Sequence, residues 1–220
     1  TVAVLERLGL LIEVPPGQMC CGQPAFNSGH VAEAARLAAA LVDVFSRSDA
    51  PLVVPSGSCA DMLVHQVPRL LAGDPVRAER ASALAARTYE LSQFLVDVMG
   101  VQDVGAHCRA CLTYHASCHG LRGLGLRQQP QALLAHVAGP PTVDLPEQDV
   151  CCGFGGVFSV KMGDISAAML ERKLDAIAAS GADVVVATDV SCLMHIEGGL
   201  RRRGMSCRVA HIADVLAGRA

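Results

Sequence analysis

A chain of 220 residues has room for one large or two small domains with a true hydrophobic core, and 51% of it is apolar. A net charge of −3, from 18 basic and 21 acidic residues evenly mixed, argues against a nucleic-acid or membrane-surface footprint, and no apolar run reaches the roughly 18 residues of a membrane span. Aromatics make up only 3% and Trp is absent, so the core must be Leu, Val, Ile and Ala, as in helices packed on a parallel sheet.

The chain opens in a helix with Val4, Leu5 and Leu8 as its apolar positions. Residues 11–14 read as a short strand, ended by Pro15-Pro16-Gly17 ahead of a loop that carries Cys20-Cys21-Gly22. A helix follows over 30–47, with Leu37, Leu41 and Val44 spaced i, i+4, i+7. Leu52, Val53 and Val54 form an apolar strand; after Cys59 come a helix to about residue 71 and another over about 78–99. Further on, one strand ends at Tyr114 and another spans 142–145, before the loop Cys151-Cys152-Gly153-Phe154-Gly155-Gly156. A helix over 164–180 presents Leu170, Leu174 and Ile177 on one face and stops at Gly181. Residues 184–187 are a strand, 191–203 a helix closed by Gly204, and Cys207 falls in a last strand as a small buried hydrophobe. Strands alternating with helices predict an α/β fold of parallel βαβ units, whose sites form beyond the carboxyl ends of strands, where the cysteine loops fall.

The sequence repeats itself. Cys20-Cys21-Gly22-Gln23 recurs as Cys151-Cys152-Gly153-Phe154, an offset of 131 (from 20 to 151), and Cys59 recurs as Cys192, an offset of 133 (from 59 to 192), each after an apolar strand. Two pseudo-repeated modules, 1–105 and 106–220, are expected, each a parallel sheet flanked by helices. The second also carries Tyr114-His115-Ala116-Ser117-Cys118-His119, whose counterpart would fall before Thr1. The first module is therefore expected to lack its N-terminal strand and one cysteine-bearing loop here.

Ten cysteines, at 20, 21, 59, 108, 111, 118, 151, 152, 192 and 207, sit among helical patterns, and two pairs are adjacent in sequence. Adjacent cysteines make strained disulfides, so bound metal in a reducing compartment fits better than a disulfide scaffold. Cys118, Cys151, Cys152 and Cys192 lie on three loops that such a fold can converge. Four thiolates around one centre suit a [4Fe–4S] cluster or zinc; the two close Cys-x-x-Cys knuckles usual for zinc are missing, which favours the cluster. Gly153, Gly155 and Gly156 would let backbone N–H groups approach an anionic centre. Cys20, Cys21 and Cys59 supply three ligands for a first site, with the fourth expected upstream of Thr1. His115 and His119 flank Cys118, placed either to hydrogen-bond a cluster or to pack in the loop. Lys161 either balances cluster charge or is solvated, and Cys108 and Cys111, without counterparts in the repeat, read as incidental thiols. Arg201, Arg202 and Arg203 complement a helix dipole. No Walker loop, dinucleotide glycine pattern or nucleophile elbow occurs, so no nucleotide, flavin or catalytic nucleophile is expected.

The stretches from Cys20 to Gly29, Tyr114 to Cys118, Cys151 to Met162 and Asp189 to Met194 resemble the motifs of the cysteine-rich CCG domain family. That family includes the cysteine-rich subunit of heterodisulfide reductase, the glycolate oxidase iron–sulfur subunit and the lactate utilization protein A family, the last similar over essentially the whole chain. The resemblance implies a cytoplasmic iron–sulfur electron-transfer subunit, with one [4Fe–4S] cluster per module, in a complex that oxidises L-lactate to pyruvate. Its implied partners are a second iron–sulfur protein and a small third subunit. A glycolate-type subunit, a disulfide reductase of the heterodisulfide type and a zinc-stabilised scaffold are the alternatives. The broader family ends each repeat with Cys-x-x-Cys, whereas Ser56 and Asp189 stand three before Cys59 and Cys192, and Val190 stands where some relatives carry another cysteine. Four ligands per module, and an ordinary cubane rather than a five-thiolate cluster, are therefore implied.

Overall fold

The apolar segment Leu52–Val54 (β1) pairs in parallel with Thr88–Glu90 (β2), Leu52 opposite Thr88 and Val54 opposite Glu90. A second parallel sheet orders Leu112–Tyr114 (β3), Val184–Ala187 (β4) and Arg208–His211 (β5), with β4 in the middle. Every residue of β4 is buried, as a parallel strand covered by helices on both faces requires. The computed structural model describes residues 1–220, an α/β chain with two small parallel sheets flanked by helices, as its sequence predicts. No helix is long and apolar enough to cross a membrane.

Three cores hold these layers. Leu41 and Val42 of helix Val31–Phe45, Met62, and Leu84 of helix Pro75–Ala86 pack under β1. Leu170, Leu174 and Ile177 of helix Gly163–Ser180 and Ile196 of helix Val190–Arg202 pack against Val185, together with Cys152 and Cys192. The largest core, 20 residues, joins Val4, Leu91 and Leu95 to Leu112, Val184 and Leu216, so the first helix, Val2–Arg7, is seated on the three-stranded sheet's side of the molecule. Arg7 fixes it there, donating to the carbonyls of Val104 and Leu216, each at 3.1 Å.

Several predicted elements differ. Residues 11–14 are not a strand: Leu11 is 102% and Val14 66% exposed, and no partner strand lies beside them. The helix predicted over 78–99 is two. Pro75–Ala86 ends, the chain extends as β2, and Glu90 then caps a new helix, Leu91–Gln93, which continues as a π-helical turn, Phe94–Val98. Thr88 and Tyr89, good strand formers, break the helical pattern there. Residues 142–145 supply only a single bridge, Val143 beside Thr113. Cys207 falls just before β5 and is half-buried. Short helices at Gln23–Asn27, Gln129–Ala135, Val157–Lys161 and Ile212–Ala217 are too brief to show a period.

Candidate metal centre

Each cysteine loop leaves a strand or turns on a glycine. Beyond β3, His115, Ala116 and Ser117 are buried ahead of Cys118, and Ser117 Oγ meets Thr188 Oγ1 at 2.9 Å, tying the end of β3 to the end of β4. Beyond β4, Thr188 and Asp189 lead into helix Val190–Arg202, which carries Cys192 in its first turn. The third loop bends at Gly153, with φ +89°; a Cβ there would lie 2.6 Å from the Ser166 carbonyl, so only glycine lets the loop lie on helix Gly163–Ser180. Gly22, its counterpart in the repeat, has φ +86° and would bring a Cβ 3.2 Å from the Ala34 carbonyl. The same close approach is thus built twice.

These loops bring Cys118, Cys151, Cys152 and Cys192 close enough for each thiol to shift the ionisation of the next in that order. The Sγ atoms of Cys152 and Cys192 and a ring nitrogen of His115 lie within 4.8 Å of one another. Crowded thiols cannot all ionise, and they alternate. Shared contact with Cys118 and Cys152 lowers the pKa of Cys151, and contact with Cys152 lowers that of Cys192 to about 6. Contact with these neighbours, reinforced by burial, raises Cys118 and Cys152. The Gly153 N–H donates to Cys151 Sγ at 3.4 Å. Gly155 and Gly156 shape the turn into Val157–Lys161, their carbonyls accepting from Phe158 and Ser159.

In the N-terminal half, Cys21 Sγ and Cys59 Sγ are 3.3 Å apart, while Cys20 is solvent-exposed. The contact with Cys21 lowers Cys59 to about 7, and the same contact raises Cys21. All ten cysteines are free thiols. Cys108 is buried beside the chain's C-terminus and Cys111 half-buried, both away from the two sulfur groups. Lys161 is exposed.

The two sites face each other through side chains that no sequence pattern marks as partners. His119, next to Cys118, places Nδ1 2.6 Å from Asp61 Oδ2 and Nε2 3.5 Å from Gln23 Nε2, and Gln23 donates to the Ser58 carbonyl at 3.0 Å. Ser56 and Asp189, where the wider family has cysteines, are spent on each other: Ser56 Oγ donates to Asp189 Oδ1 at 2.9 Å. Glycines permit this approach. A Cβ on Gly57 would lie 3.0 Å from Gly120 Cα, and one on Gly123 would lie 2.3 Å from Asp61 Oδ1. Gly123→Ala should therefore displace Asp61 from His119 and cost about 2 kcal/mol by overpacking. Urea unfolding checks this, and a variant as stable as the parent would show that Asp61 yields freely.

The donor set fits a soft, thiophilic centre. It offers four sulfurs with no carboxylate among them, and beside them His115, 1% exposed, with neither ring nitrogen partnered inside the protein. The polar atoms that its imidazole adjoins are the Cys152 and Cys192 sulfurs, within 4.8 Å.

The family model described as "Cysteine-rich domain" (CCG) matches residues 1–64 and 112–197, covering the cysteine-bearing stretches of both halves. Lactate utilization protein A of Bacillus cytotoxicus is 48% identical over 219 residues, 100% of this chain and 91% of the relative. The proteins of that name in Bacillus subtilis and Geobacillus kaustophilus are 46% and 49% identical, with the same coverage.

Proposed function

The chain belongs to the cysteine-rich CCG domain family, and on that premise we propose that it is an iron–sulfur electron-transfer subunit of a complex oxidising L-lactate to pyruvate. The observation that carries the reading is the convergence of Cys118, Cys151, Cys152 and Cys192 beyond β3 and β4. These four would hold a [4Fe–4S] cluster, and Cys20, Cys21 and Cys59 would contribute three ligands to another, one per module (1–105 and 106–220). A cluster so held supplies one-electron storage at a potential that the surrounding charges and N–H groups tune.

The chain's own residues prepare the rest. Gly153 directs its N–H at Cys151, and His115 has a ring N–H free to donate to a sulfur of the centre. The buried residues His115, Ser117 and Asp189 keep water from the C-terminal site. Asp61, His119 and Gln23 hold the two sites in a fixed relation, which passage of an electron between them requires. Lactate as the substrate of the complex follows the name of the relatives. The partners proposed are a second iron–sulfur protein and a small third subunit, in the cytoplasm.

Anaerobic reconstitution with iron and sulfide, followed by EPR of the reduced protein, tests the reading. A brown protein with a reduced-cluster signal is expected, and Cys192→Ser should abolish the C-terminal contribution while any signal from the Cys21–Cys59 site persists. A colourless protein that takes up only zinc would end the proposal.

A further inference from the structure

Helix Gly163–Ser180 carries a lysine on its apolar stripe: Lys173 lies between Leu170 and Leu174 and is 1% exposed. Its ammonium donates to the Glu147 carbonyl at 2.6 Å, and no carboxylate lies within ion-pair reach of it. The Glu147 carboxylate is engaged by Arg172, whose Nε stands 2.6 Å away. A buried ammonium demands an anion, and the sequence has spent the nearest carboxylate elsewhere. What the helix does offer is sulfur. Gly153 packs against Ser166 and Met169 of this helix, and Cys152 shares a core with Leu170 and Leu174. Burial lowers the pKa of Lys173; among the groups that pull it back up, the Cys152 sulfur leads, followed by Glu147, Asp149 and Cys151.

We propose that Lys173 is the internal counter-ion of the anionic centre formed at Cys118, Cys151, Cys152 and Cys192, and so a positioning residue that sets how readily this centre accepts an electron. The inference rests on the iron–sulfur reading of the site. Each electron accepted from a reductant adds one negative charge to the centre, opposite in sign to the Lys173 ammonium. A fixed cation attracts that added charge more strongly through a low-dielectric setting than it would across water. Lys161, exposed to solvent, is screened and contributes little.

The test is an anaerobic potentiometric titration, followed by EPR, of the reconstituted full chain, with Cys59→Ser used to identify which signal belongs to the C-terminal site. Lys173→Met should shift the midpoint of the C-terminal signal to more negative potential and leave any N-terminal signal in place. Lys173→Arg, which keeps the charge, should stay near the parent. Should Met leave the Glu147 carbonyl bare and prevent folding, Lys173→Gln can still donate to it without the charge and should show the same negative shift. A neutral variant that loads its cluster at an unchanged potential overturns the proposal, as does an Arg variant shifted as far as the neutral ones. A parent protein that takes up no cluster overturns instead the reading on which it rests.

Discussion

Glu90→Gln should leave stability nearly unchanged at pH 4 and raise it by about 3 kcal/mol at pH 8. Glu90 ends β2 with 0% exposure. One carboxylate oxygen accepts from the Ser92 and Gln93 N–H groups, at 2.7 and 3.3 Å, and from the Ser92 hydroxyl. The other, Oε1, has no partner. Burial outweighs the stabilising N–H groups and raises the pKa from the ordinary 4.5 to about 7, with the Asp189 charge adding a little. The sign follows from proton binding. Below pH 4.5 both folded and unfolded states hold the proton and nothing is lost. Between 4.5 and 7 the unfolded chain ionises while the folded one does not, so stability falls as pH rises; above 7 the loss is complete. Gln cannot ionise, so its advantage grows over that window while all other titrations cancel. Urea unfolding of the metal-free proteins at pH 4, 5, 6, 7 and 8 reads the difference directly. A difference flat across the range would mean that water reaches the Glu90 carboxyl.

The same residue shows where the sequence stops being legible. Helices Val31–Phe45 and Gly163–Ser180 are long enough for a 3.6-residue period to emerge, and β4 is an unbroken apolar run, so all three are readable. β2 is three residues, one of them a glutamate, inside a stretch that keeps helical spacing on both sides; its strand character comes from pairing with β1, a long-range fact. Residues 11–14 fail the other way, an apolar segment that no partner strand covers. At the site, the gathering of Cys118 with Cys151, Cys152 and Cys192 is foreseeable because each cysteine loop leaves a strand or turns on a glycine, and the repeat supplies a second sighting of the pattern. The charges around it are harder. Lys173 is detectable in principle, since at i+3 from Leu170 it occupies a core position that a surface lysine would avoid. The Asp61–His119 contact joins residues 58 positions apart from different halves, and no local pattern encodes it.

Asp189→Ala should cost about 3 kcal/mol and loosen both cysteine sites at once, although Asp189 neighbours only one of them in sequence. By position Asp189 is the N-cap of helix Val190–Arg202, yet its side chain makes no bond to that helix. Instead Oδ1 accepts from the Ser58 N–H and the Ser56 hydroxyl, both at 2.9 Å, and so serves the first turn of helix Gly57–Asp61, which bears Cys59. Ser56 and Asp189 are equivalent places in the two copies of the repeat, each three residues before its cysteine. Two βαβ units that meet at their strand ends bring equivalent positions face to face, and a hydroxyl opposite a carboxylate makes that meeting favourable where two carboxylates would repel. Alanine strands the Ser58 N–H and leaves the Ser56 hydroxyl only Ser58 Oγ, 3.2 Å away, in a half-buried seam, a loss typical of a charged acceptor removed from two donors. Asn, which keeps an acceptor oxygen but not the charge, should lose only about 1 kcal/mol. Urea unfolding gives the stabilities, and the accessibility of Cys59 and Cys192 to a thiol reagent in the metal-free protein reports on the sites. If Asp189→Ala quickened the labelling of Cys192 alone, the carboxylate would be serving its own helix, and the two sites would not be mechanically joined through it.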